Sequence, residues 1–262
     1  MDLGLKDKVA FVCASSKGLG KACALELAKE GAHVVISGRD EKELQESKKQ
    51  IQSLADSEVD YVVCDITKKE DIEKSIKYTV EKFGKVDILI NNAGGPPSGN
   101  FEKFSDDDWY KAFDLNLLSY VRFIREVLPY MKEQKWGRII NLASSSIKQP
   151  IPGLLLSNTF RAGVVGLSKT LSIELADSNI LVNTIAPGRI LTDRVRTLDK
   201  IKSEKLGISV EEVETESKKT IPLGRYGDTE EFGKVVAFIA SDVSSYVTGS
   251  SIIIDGGMVK SI

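Results

Sequence analysis

The sequence predicts an α/β fold, a doubly wound sheet of seven parallel strands with helices on both faces. Three observations predict it. Apolar, β-branched runs of about five residues alternate with longer stretches of helical period along the chain. A glycine-containing turn follows the first run and opens directly into a helical stretch. No internal repeat, low-complexity tract or proline-rich linker interrupts this alternation, so residues 1–262 read as a single domain.

The elements follow in order. Val9, Ala10, Phe11, Val12 and Cys13 form an apolar first strand at 9–13, and an amphipathic helix is expected at 21–30. A second strand at 33–37 carries Val34, Val35 and Ile36, and the charged stretch 41–54 has helical period. Strands at 61–64 and 87–91 bracket a helix at 68–83, and a long helix at 106–131 leads to a fifth strand at 137–142. A helix at 162–176, a strand at 180–185, a helix at 229–240 and a last strand at 251–254 complete the pattern. Residues 193–220 differ, being dense in Lys, Arg and Glu with few large apolar side chains; they read as an exposed helical insertion or lid.

Composition narrows the function. The chain is 42% hydrophobic and 28% charged, which excludes disordered and collagen-like classes. Thirty-six basic against 38 acidic residues leave a net charge of -2, with no global field to draw the chain onto nucleic acid or a membrane, so any anion site is local. The amino-terminal apolar run is too short for a secretory leader, and a cytoplasmic location is expected. Cys13, Cys23 and Cys64 contain no C-x-x-C pair, suggesting neither a disulfide framework nor a metal site. The only histidine, His33, precedes an apolar run and reads as structural, which removes a histidine-based nucleophile triad.

The first strand runs into Ala14, Ser15, Ser16, Lys17, Gly18, Leu19 and Gly20, and then into helix. Glycine lets a backbone approach a pyrophosphate, and a helix N-terminus supplies free N–H groups and a positive dipole end, so this turn reads as a Rossmann-like phosphate site. The layout resembles the short-chain dehydrogenase/reductase family, and most closely its β-ketoacyl carrier-protein reductases. The family's T-G-x-x-x-G-x-G turn matches residues 13–20, with Cys13 and Ala14 in place of the Thr and the first Gly. Alanine there is tolerated at negative φ and resisted at positive φ. Asp65-Ile66, Asn91-Asn92-Ala93-Gly94, Asn116 and Ala186-Pro187-Gly188 extend the resemblance along nearly the whole chain. It implies that Asp65 and Ile66 face the adenine, Asn92, Ala93 and Gly94 the ribose, and Pro187, Gly188, Ile190 and Thr192 the nicotinamide amide.

Charge sets the cofactor. NAD-selective relatives place an acidic residue after strand two, where this chain has Ser37-Gly38-Arg39. Arg39 and Lys17 can each make a charge-assisted bond to a 2'-phosphate, so NADP(H) is preferred and NAD(H) remains possible.

The family aligns a Ser, a Tyr and a Lys, and the resemblance puts its serine at Ser144. Its tyrosine position is then Ser157 and its lysine position Arg161, and no tyrosine occurs between Tyr130 and Tyr226. A Y-x-x-x-K string at Tyr78 and Lys82 reads as a helical surface pair. An aliphatic hydroxyl is a far poorer acid than a phenol, and arginine keeps its proton. Two readings stay open: an oxidoreductase that relies on Ser144, Asn116, Ser157 and Arg161, and a nucleotide-binding sensor or hetero-oligomer partner without turnover. In the first, Ser144 orients a carbonyl, Asn116 holds a water or a backbone group, Arg161 fixes the ribose or an oxyanion, and Ser157 is a weak proton relay. Ile147 and residues 150–156 form one apolar wall for a small-molecule substrate, with Gly95, Pro96 and Pro97 opposite. Family likeness implies a homodimer or homotetramer, with the strand at 251–254 near a second subunit.

Overall fold

The computed structural model describes residues 1–261. Among them, β1 (Val9–Val12), β2 (His33–Gly38), β3 (Val59–Val63), β4 (Ile88–Asn91), β5 (Gly137–Leu142), β6 (Ile180–Pro187) and β7 (Ser251–Ile254) form one parallel sheet in the order β3-β2-β1-β4-β5-β6-β7. Every residue of β1, β4 and β5 is buried, which is why β1 and most of β4 read as an apolar run instead of alternating, while β5 also buries Arg138 and Asn141. The winding reverses between β1 and β4, where Val12 pairs with Ile90. At such a switch point the loops leave in opposite directions and open a crevice at the carboxyl ends of the strands.

Helices close both faces. On one, α1 (Gly18–Lys29), α2 (Glu41–Gln52) and α9 (Thr229–Ile239) pack Leu27, Leu44, Ile51, Phe232 and Val236 onto Val12, Ile36 and Ile90. On the other, α3 (Lys69–Phe83), α5 (Ser119–Gln134) and α6 (Leu155–Glu174) enclose Phe11, Leu89 and Ile139 with Ile76, Phe123 and Val164.

The strands lie where the sequence puts them, and two helical expectations change. The 106–131 stretch is not one helix: α4 (Asp106–Phe113) and α5 are joined by a π-helical turn, Asp114–Leu118. The second difference is α6, which starts at Leu155 instead of 162. Its N-cap, Leu154, offers no side-chain acceptor, so the usual Ser, Thr or Asp start signal is missing. Residues 193–220 are helical as expected, forming α7 (Asp193–Leu206) and α8 (Val210–Lys219), capped by Thr192 and by a Ser209–Glu212 capping box. Among the described residues no helix is long and apolar enough to cross a membrane.

Candidate active site

The turn after β1 is fixed from both sides. The Ser15 N–H donates to the Ser37 carbonyl oxygen (2.7 Å) and its hydroxyl to that of Val12 (2.7 Å). The Asn92 amide donates to the Ala14 carbonyl oxygen at 3.0 Å. A Cβ on Gly20 would lie 2.6 Å from that same oxygen and 2.8 Å from Asn92 Nδ2, so only glycine lets α1 start this close to the turn. Ala14 has φ +45°, the left-handed region in which its methyl group is resisted.

These residues fit a dinucleotide. Helices α2, α4 and α8 begin on Asp40, Ser105 and Ser209, whose side chains accept a first-turn N–H. Helix α1 begins on Lys17, with no side-chain cap and no acidic residue in its first turn. Its free N–H groups and dipole suit a pyrophosphate. A methyl group added to Gly94 would meet nothing within 4 Å, so the crevice is open in front of it. Thr192 closes the far side, its methyl 3.7 Å from where a Gly18 Cβ would sit. Ile190 turns into the core and Ile66 is buried.

At the end of β2, Arg39 is exposed. Lys17 Nζ lies 3.0 Å from Glu43 Oε1, and Ser16 Oγ donates to Glu43 Oε2 at 3.0 Å. Sequence reasoning missed Glu43; the available signal was an acid in the first turn of the helix after β2. Beyond β3, burial pushes the Asp65 carboxyl up, but the Thr67 N–H (3.1 Å) and hydroxyl (2.8 Å), with the Lys68 and Arg39 charges, hold it below its usual value.

Under the crevice lies a buried polar ladder. Asn91 Nδ2 donates to Asn141 Oδ1 (2.8 Å), Asn141 Nδ2 to Ser168 Oγ (2.8 Å), and Thr184 Oγ1 to Ser168 Oγ (2.9 Å), tying the ends of β4, β5 and β6 to α6. Above it, Arg161 on α6 is 5% exposed. Nη1 donates to Leu142 O (2.6 Å) and Tyr120 Oη (2.7 Å), and Nη2 to Ala93 O (3.1 Å). The guanidinium thus clamps the main chain past β4 to that of β5. Three N–H groups are used, and Nε–H has no acceptor among the described residues. Tyr120, also missed from sequence, donates its hydroxyl to Leu142 O (2.8 Å). Burial pushes this phenol up against the opposing Arg161 charge, and it is 1% exposed.

Asn116 sits in the π-helical turn, fully buried; Nδ2 donates to Gly94 O (2.8 Å) while Oδ1 has no partner. A π-turn shifts the helical register and re-aims the side chain it carries. Ser144 lies two residues beyond β5 and caps the next turn by accepting from the Ser146 N–H at 3.2 Å, so its own proton is free. Ser157, in the first turn of α6, is half-buried and makes no side-chain hydrogen bond among the described residues. Near Ser157, on the same first turn of α6, a cleft of about 290 Å³ is lined by Phe101, Pro150, Ile151, Pro152, Leu155 and Asn158. The Gly99 N–H bonds to Gly153 O (2.7 Å), joining the two loops that line this cleft; Gly95, Pro96 and Pro97, expected as its opposite wall, do not line it.

The remaining sequence features are structural. Tyr78 donates to Asp60 Oδ2 (2.6 Å) and Lys82 pairs with the same oxygen, away from the crevice. His33 Nδ1 accepts from the Glu58 N–H (3.2 Å) and its ring stacks on Phe83. All three cysteines are buried, and burial pushes the Cys64 thiol up to about 12.

Comparison with known proteins gives a consistent result. Residues 13–259 match the family model described as enoyl-(acyl carrier protein) reductase. The chain is 36% identical over 255 residues to the 3-oxoacyl-[acyl-carrier-protein] reductase FabG of Thermotoga maritima, covering 97% of this chain and 99% of that protein. It is 34% identical to dehydrogenase/reductase SDR family member 4 of Homo sapiens, covering 97% and 88%. The crystal structure of L-sorbose reductase from Gluconobacter frateurii, complexed with NADPH and L-sorbose, superposes with a TM-score of 0.95 at 32% identity over all of both chains.

Proposed function

The chain belongs to the short-chain dehydrogenase/reductase family, and from that membership we propose an NADP(H)-dependent oxidoreductase whose catalytic set lacks the family's Tyr and Lys. It reduces a carbonyl, 3-oxoacyl-like or another apolar ketone, or oxidises the matching alcohol. A bound nicotinamide dinucleotide would supply or accept the hydride. The α1 N-terminus and the 14–20 turn hold its pyrophosphate, and Lys17 and Arg39 bind the 2'-phosphate. NAD(H) would lack the second of these anchors.

The observation that carries this reading is the Arg161 guanidinium, buried between Ala93 O and Leu142 O with Nε–H unspent. The guanidinium stabilises a developing oxyanion electrostatically and passes no proton. The Ser144 hydroxyl donates to the carbonyl oxygen, Asn116 Oδ1 accepts from a water, and Ser157 relays a proton weakly. A positioned general acid contributes about 10²- to 10⁴-fold, so a site without a phenol suits a carbonyl activated enough to need little acid help.

A second reading is nucleotide binding without turnover, as a sensor or hetero-oligomer partner. It is favoured by Tyr120, the phenol that touches Arg161, being turned onto Leu142 O. The working species is a homodimer or homotetramer. Supporting this, β7 is a half-exposed edge strand, with Phe238, Val243 and Tyr246 exposed nearby.

Fluorescence titration with NADPH, followed by absorbance loss on adding activated ketones and acyl thioesters, tests the proposal. Binding with substrate-dependent oxidation supports the oxidoreductase. Binding without oxidation leaves the second reading, and no binding removes both.

A further inference from the structure

Four arginines meet carboxylates: Arg122 pairs with Asp114, Arg138 with Asp242, Arg189 with Asp199 and Arg225 with Glu231. Among the described residues Arg161 and Arg194 do not, and nor do Arg39, Arg125 and Arg196. Arg161 binds only main-chain oxygens and a phenol, and Arg194, in the first turn of α7, binds only the Pro96 carbonyl oxygen, at 2.9 Å. Neither has a carboxylate within ion-pair distance among the described residues.

Arg194 reaches across from the 193–220 segment to the loop after β4. Its guanidinium lies flat on Gly95, where an added Cβ would meet Nη2, Nε and Cζ at 3.0, 3.1 and 3.2 Å. Any larger residue at 95 would push the cation away. Burial pulls the Arg194 proton affinity down, and the Arg161 charge adds to that effect. Arg194 is solvent-exposed and Arg161 is 5% exposed, and neither cation has a carboxylate partner among the described residues.

We propose that the crevice takes a carbonyl substrate bearing a carboxylate, which Arg194 binds while Ser144 and Arg161 face the carbonyl oxygen. This deepens the oxidoreductase reading and rests on it. The planar guanidinium suits bidentate recognition of a carboxylate. The apolar body of the substrate lies in the cleft beside Pro150, Ile151 and Leu155. A second source of the same anion chemistry is the cofactor's own pyrophosphate. The substrate is favoured because Arg194 rests on Gly95 and Pro96, in the loop after β4, whereas the phosphate turn has the uncapped N–H groups of α1.

The test uses the full chain and three probe pairs: phenylpyruvate, 2-oxohexanoate and 4-oxopentanoate, each against its methyl ester. Binding is read by quenching of bound NADPH fluorescence, and turnover by NADPH oxidation. The expected result is that an acid binds at least about tenfold tighter than its ester, as one retained ion pair of ~1.4 kcal/mol requires. Arg194→Gln should abolish that preference, Arg194→Lys should keep part of it, and both should hold NADPH within about twofold of the parent chain. Equal binding of acid and ester, or binding of neither, overturns the proposal while NADPH binding leaves the parent reading standing. Weaker NADPH binding by Arg194→Gln overturns it in favour of the pyrophosphate, and failure of the parent chain to bind NADPH removes both.

Discussion

Asn92 donates its side-chain amide to the carbonyl oxygen of Ala14 over 3.0 Å, and the residue so held has φ +45°. The bond fixes the turn after β1 against the end of β4, so the strain at Ala14 is kept in place from outside. Left-handed backbone costs a non-glycine residue about 1–2 kcal/mol. Ala14→Gly removes that cost and loosens the unfolded chain by about 0.4–1 kcal/mol. The net expectation is a gain of up to ~1 kcal/mol in urea denaturation. A less stable glycine variant would contradict the strain.

Gly20 is the opposite case. A methyl group there meets the backbone oxygen of Ala14 at 2.6 Å, and no flexible side chain can yield. Gly20→Ala should destabilise by roughly 1–3 kcal/mol and weaken dinucleotide binding as α1 is displaced. An alanine variant with unchanged denaturation midpoint and NADPH affinity would show that the turn gives way freely.

Glu43 holds Ser16 and Lys17, and Lys17 is one of the two cations assigned to the 2'-phosphate. Both partners of the ion pair are exposed, so the pair itself contributes little, on the order of 0–1 kcal/mol. Its effect on ligand choice is larger, because a carboxylate within reach of Lys17 repels an incoming phosphate. Glu43→Gln should tighten NADPH by about threefold to tenfold at low salt, leave NADH nearly unchanged, and lose the gain as ionic strength rises. Parallel titrations of the two cofactors decide it; equal tightening would remove the phosphate explanation.

How far the sequence carried these conclusions depends on the type of interaction. The central strands were legible because strands enclosed on both faces leave Val- and Ile-rich runs, and the edge strands β3 and β7 because their Val and Ile clusters still stand out from the polar segments around them. The phosphate turn was legible because glycine spacing records close backbone approach. The π-helical turn at Asp114–Leu118 was not, since it contains no Pro or Gly and its residues suit an α-helix equally well. Arg194 was hidden for another reason: in a stretch dense in Lys, Arg and Glu, one arginine that crosses to Pro96 looks like any solvated charge. Tyr120 and Arg161 meet across 41 positions, a contact that only the packing of α5 on α6 creates.

Restoring the family's residues tests the catalytic assignment. Ser157→Tyr with Arg161→Lys should raise NADPH-dependent ketone reduction by about 10²-fold or more, the usual contribution of a positioned acid. Arg161→Ala alone should unfold the crevice edge, costing about 2–4 kcal/mol, because Ala93 O loses its donor and the clamp between β4 and β5 is gone. If the double variant binds NADPH and gains no activity, position 157 does not present its side chain to the substrate.

Asp60 provides the pH dependence. Burial would raise its carboxyl, but Lys82, Tyr78, Lys48 and the Tyr61 N–H all bond to it and hold it well below its usual 3.8. A carboxylate whose folded value is depressed favours the folded state above its unfolded value, and this contribution disappears as the pH falls through the folded one. Stability should therefore be level above about pH 5 and decline below about pH 4, where the unfolded chain takes up a proton that the folded chain refuses. Asp60→Asn loses the pairing at every pH, so it should be less stable than the parent at pH 7, and its stability should fall less between pH 5 and pH 3. Denaturation midpoints for the two chains at these pH values measure both effects. An equally steep acid decline in both would assign the acid sensitivity to other carboxylates, since β3, α2 and α3 would then not depend on this charge for their attachment.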